Sequence, residues 1–170
     1  LKNASNLFGL NYTIFRPHNV YGPHQNINDP YRNVIGIFLN KLKNNEPLPI
    51  FGDGNQQRAF TYIDDVAPHI AESVDLEKAK NEVFNIGSDN VFSINELVGK
   101  LEKVIGANLT REYLVERKEV KVAYADHSKF NKVFQPQPTT ALSQGLLSMS
   151  EWVNANPRND KAQKVPIEIE

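Results

Sequence analysis

The chain has 170 residues, of which 40% are hydrophobic and 23% charged, with a formal net charge of −1 and no cysteine. This length and composition predict one compact unit with its own core. The near-neutral charge argues against nucleic-acid and anionic-membrane binding, and the lack of cysteine excludes disulfides, thiolate catalysis and cysteine-ligated zinc.

The first part of the chain predicts a helix, a strand and a second helix. Residues 1–8 resemble the end of a helix that stops at Gly9. Residues 10–16 (LNYTIFR) are β-branched, aromatic and apolar, which predicts a strand buried on both faces. Apolar residues at helical spacing predict a helix over 33–45, which Pro47 ends.

The middle of the chain predicts three strands and a helix. The segment LPIF is a short strand, 52–55 (GDGN) is a turn, and 56–63 (QQRAFTYI) is one continuous strand. Asp64 or Asp65 is expected to cap the next helix, and 82–88 (EVFNIGS) predicts a buried strand.

The last part of the chain is mainly helical. Ser93 and Glu96 form a capping-box pattern at the start of a helix that ends at Gly106. A short helix over 125–134 is expected to be capped by Asp126, and Thr140 or Thr139 begins a final helix through Trp152. Since strands alternate with helices, the predicted class is α/β with a partly parallel sheet.

A few polar residues near strand ends are candidates for a binding site. Asn19 follows a predicted strand and is either a turn residue or a ligand-binding amide, because open α/β sheets place ligands at such ends. Arg58 is either a surface residue or an arginine whose planar guanidinium binds a phosphate through two hydrogen bonds. Phe51 is either a core residue or an aromatic residue that faces a nucleotide base. His18 and His24 are more typical of loop histidines than of metal ligands.

The chain contains no glycine-rich Gly-x-Gly-x-x-Gly loop. It also offers no obvious acid–base pair or activated nucleophile. The residues alone therefore predict a binder of a small anionic ligand, and no metal site.

Two long motifs give the chain a family resemblance. FRPHNVYGPHQ and LPIFGDGNQQRAFTYIDDVA, followed in order by FNIGS, SINELV and AYADHSKFNKVF, resemble the extended short-chain dehydrogenase/reductase family, in particular the nucleotide-sugar 4-epimerases. The resemblance implies the last strands and helices of a Rossmann-type parallel sheet plus a small α/β substrate-binding lobe. It places this C-terminal portion in residues 1–156, with Rossmann remnants near 1–24 and 56–90, and a flexible tail in 157–170.

The resemblance also implies what this chain lacks. The family's NAD-binding glycine loop and its catalytic Tyr-x-x-x-Lys are not present in the sequence. NAD is therefore expected to be bound mainly by an N-terminal half, and the 170 residues are expected to be inactive alone, with no catalytic residue. The implied partners are a nucleotide-sugar substrate and, for a full-length protein, a second subunit in a homodimer, with self-association of the fragment.

The resemblance assigns the residues that hold the substrate's diphosphate. Asn19 corresponds to a residue that contacts the diphosphate or sugar, and Arg58 to a diphosphate-binding arginine. Asn33 and Val34, at the head of a helix, correspond to a pair beside the sugar diphosphate, as suits an anion. Arg117 corresponds to a second diphosphate arginine, shifted by one residue from the family's pattern. Without the resemblance, it reads as part of a solvated charge run.

The resemblance assigns the other parts of the site as well. The backbone of His18 is expected against the nicotinamide, Pro49 and Phe51 against the uracil, and Glu119 near the ribose. Ala123 corresponds to a residue beside the C2 substituent of the sugar, and its small side chain leaves room for an N-acetyl group.

Two alternatives to a 4-epimerase remain open from the sequence. The same half is shared by 4,6-dehydratases, decarboxylases and reductases of the family, and a non-catalytic nucleotide-sugar-binding module is the alternative from another class.

No stretch of 18 apolar residues and no charged-then-apolar leader is visible, so a cytoplasmic location without a membrane partner is expected.

Overall fold

The computed structural model describes residues 1–29, 33–118 and 120–156. The strands are β1 (Thr13–Pro17), β2 (Val20–Tyr21), β3 (Leu48–Phe51), β4 (Gln57–Ala59), β5 (Thr61–Tyr62), β6 (Glu82–Ile86), β7 (Val91–Ser93), β8 (Arg111–Leu114) and β9 (Val122–Ala123). The helices are α1 (Lys2–Phe8), α2 (Val34–Lys43), α3 (Ala67–Glu72), α4 (Ile94–Ile105), α5 (Ser128–Phe134) and α6 (Leu142–Ala155). Short 3-10 turns cover Ile63–Asp65 and Glu77–Ala79. The predicted tail, 157–170, lies outside the described residues.

The strands form small sheets in which parallel pairing dominates. Strands β1 and β6, β2 and β5, and β3 and β8 pair in parallel, while β4 lies between antiparallel β7 and parallel β9. The predicted α/β class is therefore confirmed. No helix in the described part of the chain is both long and apolar enough to cross a bilayer.

The predicted single strand over 56–63 is interrupted. Phe60 separates β4 from β5, which belong to different sheets. Its side chain is only 4% exposed and joins the main core. The chain passes from one sheet to the next at this buried aromatic ring. The alternation of residue types does not reveal the interruption, because it fits a continuous strand.

Two hydrophobic clusters hold the elements together. The larger packs α2, α4 and α6 against β2, β3 and β5, with Phe38, Leu97 and Leu146 fully buried. The smaller lies on β6 and α5 around Phe84 and Phe130. The functional residues described below are carried by loops and strand ends beside the larger cluster.

Helix ends follow the sequence signals in some places and not in others. Ser93 and Glu96 form the predicted capping box, and the Asn33 side chain caps α2 by accepting a hydrogen bond from the Gly36 N–H at 3.2 Å. Neither Asp64 nor Asp65 caps α3, whose N-cap position is Val66.

Asp65 instead ties two distant segments together. Its carboxylate accepts hydrogen bonds from the N–H and hydroxyl of Thr140 at 2.9 and 2.8 Å. Thr140 therefore precedes the last helix, whose N-cap is Ala141, rather than starting it. Asp126 likewise lies one residue before the N-cap of α5, although its carboxylate accepts from the Ser128 N–H at 2.8 Å.

Strand β1 is not buried on both faces as the sequence predicts. Its first three residues are half-buried and its last two are exposed. Among the described residues, β1 pairs only with β6. The apolar run is therefore typical of an inner strand, but one edge of β1 is unpaired within the described part of the chain.

Candidate functional site

A cavity of about 360 Å³ lies between α2, β3, β4 and the loop after β8. It brings together six of the ten residues assigned to the site from the sequence, namely Asn19, Val34, Pro49, Phe51, Arg58 and Arg117. These residues are up to 98 positions apart in the chain (117 − 19), so the fold rather than local sequence makes them neighbours.

One side of the cavity is apolar. Pro49 and Phe51 come from β3, whose alternating pattern buries Leu48 and Ile50 and leaves these two residues half-buried toward the cavity. Phe60 contributes a further aromatic wall. Such a surface is suited to a flat aromatic ring.

Arg117 lies directly over this aromatic wall. Its guanidinium carbon is 3.5 Å from the centre of the Phe51 ring, a cation–π contact. Both residues also line a smaller neighbouring cavity of about 210 Å³, together with Asp53 and Lys121. Arg117 is exposed and follows β8, so it stands at the mouth between the two cavities.

Arg58 brings a second guanidinium to the cavity. It projects from the middle of β4, where its register partners are Phe92 and Ala123. Its Nη1 donates hydrogen bonds to the carbonyls of Gln57 and Val120 at 2.8 and 2.7 Å. These two hydrogen bonds orient the Arg58 guanidinium. The alternation of residue types along the strand does not by itself determine that orientation.

Asn19 adopts a backbone conformation that asparagine tolerates better than most residues. Its φ is +44°, in the left-handed region. Its Nδ2 donates to the Ala59 carbonyl at 2.9 Å, and its own carbonyl accepts from the Thr61 N–H at 3.2 Å. The turn after β1 is therefore held by two hydrogen bonds to the junction of β4 and β5.

Asn19 also connects this cavity to a larger open cleft of about 940 Å³. The cleft runs along the residues that follow β2 and β5, including His24, Gln25 and Asp64. Because β2 and β5 are parallel, it occupies their carboxyl ends, where open α/β sheets place ligands.

Two of the predicted residues lie beside the cavity rather than in its lining. Asn33 lines the larger cleft, and its amide group caps α2 and donates to the Val20 carbonyl at 2.5 Å. Ala123 is the strand neighbour of Arg58 in β9. The roles that the resemblance gives these two residues stay predictions.

The remaining two predicted residues are His18 and Glu119. The His18 ring is buried against His127 and Gly87, and its carbonyl accepts a hydrogen bond from Thr61 Oγ1 at 3.1 Å. Glu119 lies outside the described residues.

Gln56 is a cavity residue that the sequence analysis did not single out. Its Nε2 donates to the Phe51 carbonyl at 3.0 Å, and its side chain lines both the main and the smaller cavity. The only local signal is its position just after the GDGN turn, which returns the chain toward the end of β3.

The arrangement combines an aromatic face with polar donors at the edge of one cavity. Two arginines and an asparagine amide suit an anionic group, and the wall of Phe51, Pro49 and Phe60 suits a planar ring linked to it. No three His, Asp or Glu side chains in the described ranges lie close enough to share a metal ion.

Comparison with known proteins gives a family match over just over half of the chain. Residues 1–87 match the family described as "NAD dependent epimerase/dehydratase family". A relative from Thermodesulfobacterium geofontis, a UDP-glucuronate 4-epimerase, is 36% identical over 161 residues, covering 94% of this chain and 48% of that protein. A UDP-N-acetyl-alpha-D-glucosaminuronate decarboxylase from Bacillus cytotoxicus is 31% identical, covering 86% of this chain and 47% of that protein.

Solved structures agree with this match in their fold. The UDP-glucuronic acid 4-epimerase from Bacillus cereus, solved with UDP-glucuronic acid and NAD, superposes with a TM-score of 0.79 at 33% identity. The match covers 91% of this chain and 48% of that one. The chain thus spans about half the length of the relatives it matches.

Proposed function

This chain belongs to the NAD dependent epimerase/dehydratase family, and from that premise we propose that it is the substrate-binding portion of a nucleotide-sugar 4-epimerase. Its ligand is a nucleoside diphosphate sugar, a UDP-hexose or UDP-N-acetylhexosamine. The nucleotide lies in the cavity of about 360 Å³ and the sugar extends past Asn19 into the larger cleft.

The observation that carries this proposal is the convergence of ring-binding and anion-binding side chains in one cavity. Phe51 and Pro49 offer an apolar face for the base, while Arg58 and Arg117 offer guanidinium groups for the diphosphate. Because Asn19 lines both spaces, a ligand with a base at one end and a sugar at the other spans them along a single path.

The binding half has a particular task in a 4-epimerase. Inversion at C4 requires the oxidised sugar to present its opposite face before it is reduced again. The residues of this chain hold the nucleotide diphosphate through Arg58, Arg117 and Asn19, so that the sugar turns in the cleft without leaving the protein.

NAD fits this chain only in part. The family is NAD-dependent, and when bound the cofactor supplies the hydride acceptor and donor. The residues present offer the turn at His18, at the carboxyl end of the β1–β6 pair, and neither a glycine-rich phosphate loop nor a Tyr-x-x-x-Lys pair occurs in the sequence. The isolated chain is therefore inactive, and its contribution is to bind and orient substrate.

The exposed apolar surface near α1 supports self-association of the isolated chain. Leu7 and Phe8 are 74% and 81% exposed, and β1 has one pairing partner among the described strands. An open strand edge beside apolar side chains favours pairing with another chain. Sedimentation of a monomer at every concentration would contradict this part of the proposal.

Calorimetry with matched ligands tests the proposed function. UDP-glucose is expected to bind, and glucose 1-phosphate to bind at least about tenfold more weakly, because it offers no base to Phe51. Equal binding of both, or no binding of UDP-glucose, would contradict the proposal.

A decarboxylase of the same family is the second candidate. It is supported by the Bacillus cytotoxicus relative, which is only slightly less similar than the 4-epimerase relative. Both candidates share the nucleotide-binding role of this chain. The product that a longer protein containing this chain forms from a UDP-hexuronate, with or without carbon dioxide release, separates them.

A further inference from the structure

Two histidine rings are stacked at the carboxyl end of the β1–β6 pair. The rings of His18 and His127 are parallel to within 1°, with centroids 5.1 Å apart. His18 follows β1 and His127 precedes α5, so the stack joins segments 109 residues apart (127 − 18).

Asp89 determines the tautomer of His127. Its Oδ1 lies 2.6 Å from His127 Nδ1, so Nδ1 carries the proton and donates to the carboxylate. The His127 side chain is only 2% exposed while Asp89 is at the surface.

His18 has no comparable partner. Among the described residues, both of its ring nitrogens and Nε2 of His127 are buried without a hydrogen bond of normal geometry, although the Ser88 backbone lies close enough to favour the charged His18 ring. The His18 ring is also wedged against Gly87, where an added Cβ would lie 2.2 Å from His18 Cε1. Burial in this slot disfavours the charged form of the His18 ring, although the Ser88 backbone and Asp89 act in the opposite direction.

The slot is directly connected to the substrate cavity. The His18 carbonyl accepts from Thr61 Oγ1, which in turn accepts from the Ser88 N–H at 3.1 Å. The next residue, Asn19, is held by Thr61 and Ala59 and lines the cavity. The residue that carries the stacked ring and the residue that lines the cavity are therefore adjacent and both bonded to Thr61.

Burial and the neighbouring groups together make a charge on the His18 ring unfavourable. Burial, followed by the nearby His127, lowers the pKa of His18 below its ordinary value of 6.5, and the Ser88 backbone and then Asp89 oppose this effect only in part. Asp126, on the segment leading into α5, also acts on His127, although its own pKa is lowered mainly by the Ser128 N–H. The neighbour from β5, Thr61, is uncharged.

We propose that the His18–His127 stack positions Asn19 for the nucleotide sugar, and that protonation of His18 opens the stack and weakens substrate binding. The inference rests on the proposed function for its ligand, but the stack itself can be tested without one.

The ligand-free test is ¹H–¹⁵N NMR of the histidine rings of the 170-residue chain. The expected spectrum shows His127 protonated at Nδ1 and a His18 ring that titrates below 6.5, with the Asn19 amide signal moving in step. A freely titrating His18, or an Asn19 signal that ignores its titration, would overturn the inference whatever the ligand.

The binding test compares UDP-glucose affinity at about pH 8 and pH 5, on either side of the ordinary histidine pKa. UDP-glucose is a suitable probe because its diphosphate lacks the ionisation near pH 6 of a phosphate monoester. Affinity is expected to be lower at pH 5 than at pH 8, because the His18 ring takes up a proton only toward the lower pH.

Three variants separate protonation of the stack from general effects of pH. His18→Phe keeps a stacked ring without the titrating group and is expected to remove the pH dependence. His127→Phe removes the neighbour that, after burial, lowers the pKa of His18, so the loss of affinity is expected to begin at a higher pH. His69→Phe is the matched control, since His69 also pairs with a carboxylate, Glu72 at 2.8 Å, but lies outside both cavities, and it should retain the wild-type profile.

The outcomes distinguish this inference from the proposed function. A wild-type pH profile that survives in His18→Phe would overturn the inference while leaving nucleotide-sugar binding intact. Absence of UDP-glucose binding at every pH would contradict the proposed function instead, and the ring titration would then decide the inference.

Discussion

Replacing Arg58 by methionine tests whether the cavity binds a diphosphate. The side chain of Arg58 lines the cavity and its Nη1 bonds two backbone carbonyls. A charge-assisted hydrogen bond to a phosphate contributes about 1.5–3 kcal/mol, so Arg58→Met should weaken UDP-glucose binding by about 10- to 150-fold. The two carbonyl contacts are partly exposed, so the free energy of unfolding should fall by only about 1–2 kcal/mol.

The matched control is Arg111→Met. Arg111, the first residue of β8, pairs with Glu102 of α4 at 2.8 Å and lines neither cavity. Since this pair is near the surface, its loss should lower the free energy of unfolding by at most about 1 kcal/mol and leave the Kd unchanged. Titration calorimetry with UDP-glucose and urea denaturation measure the two effects separately. A folded Arg58→Met protein with wild-type affinity, or an equal loss in Arg111→Met, would refute the assignment.

Four further predictions follow from the same geometry. Phe51→Ala should weaken UDP-glucose binding by about 1–3 kcal/mol through lost base stacking; an unchanged Kd in calorimetry would show that the base lies elsewhere. Leu97→Ala should lower the free energy of unfolding by about 2–5 kcal/mol, because the side chain is fully buried in the larger core; a loss below about 1 kcal/mol in urea denaturation would contradict that packing. Because the pKa of His18 is lowered in the folded state, the unfolded chain binds the proton first, so the free energy of unfolding should fall as the pH drops below 6.5; a His18→Phe protein that shows the same decrease would contradict this cause. The isolated chain should not interconvert UDP-glucose and UDP-galactose in the presence of NAD, and product detected by chromatography would disprove its inactivity.

The helix ends show how far local sequence determines this fold. The capping box of Ser93 and Glu96 and the glycine at 106 were predictable because each acts within one or two turns of its own helix. The roles of Asp65 and Phe60 were not, because Asp65 binds Thr140 75 residues away and Phe60 leaves its strand to enter the core. Tertiary contacts of this kind override local preference.

The candidate site was likewise predictable from local sequence only in part. The residues alone identified Asn19, Arg58 and Phe51 as polar or aromatic groups near strand ends, and the family resemblance added the rest. Six of the ten assigned residues line one cavity. The stack of His18 on His127 could not be inferred, because nothing in the sequence around either residue indicates that α5 begins beside the end of β1.

The most direct test of the central claim is to map UDP-glucose onto the ¹⁵N-labelled chain by NMR. Backbone amides at Asn19, Phe51 and Arg58 are expected to shift together with a single dissociation constant, while Arg111 at the start of β8 stays unchanged. Shifts confined to other surfaces, or no shift at saturating UDP-glucose, would contradict the claim that this cavity holds a nucleotide sugar.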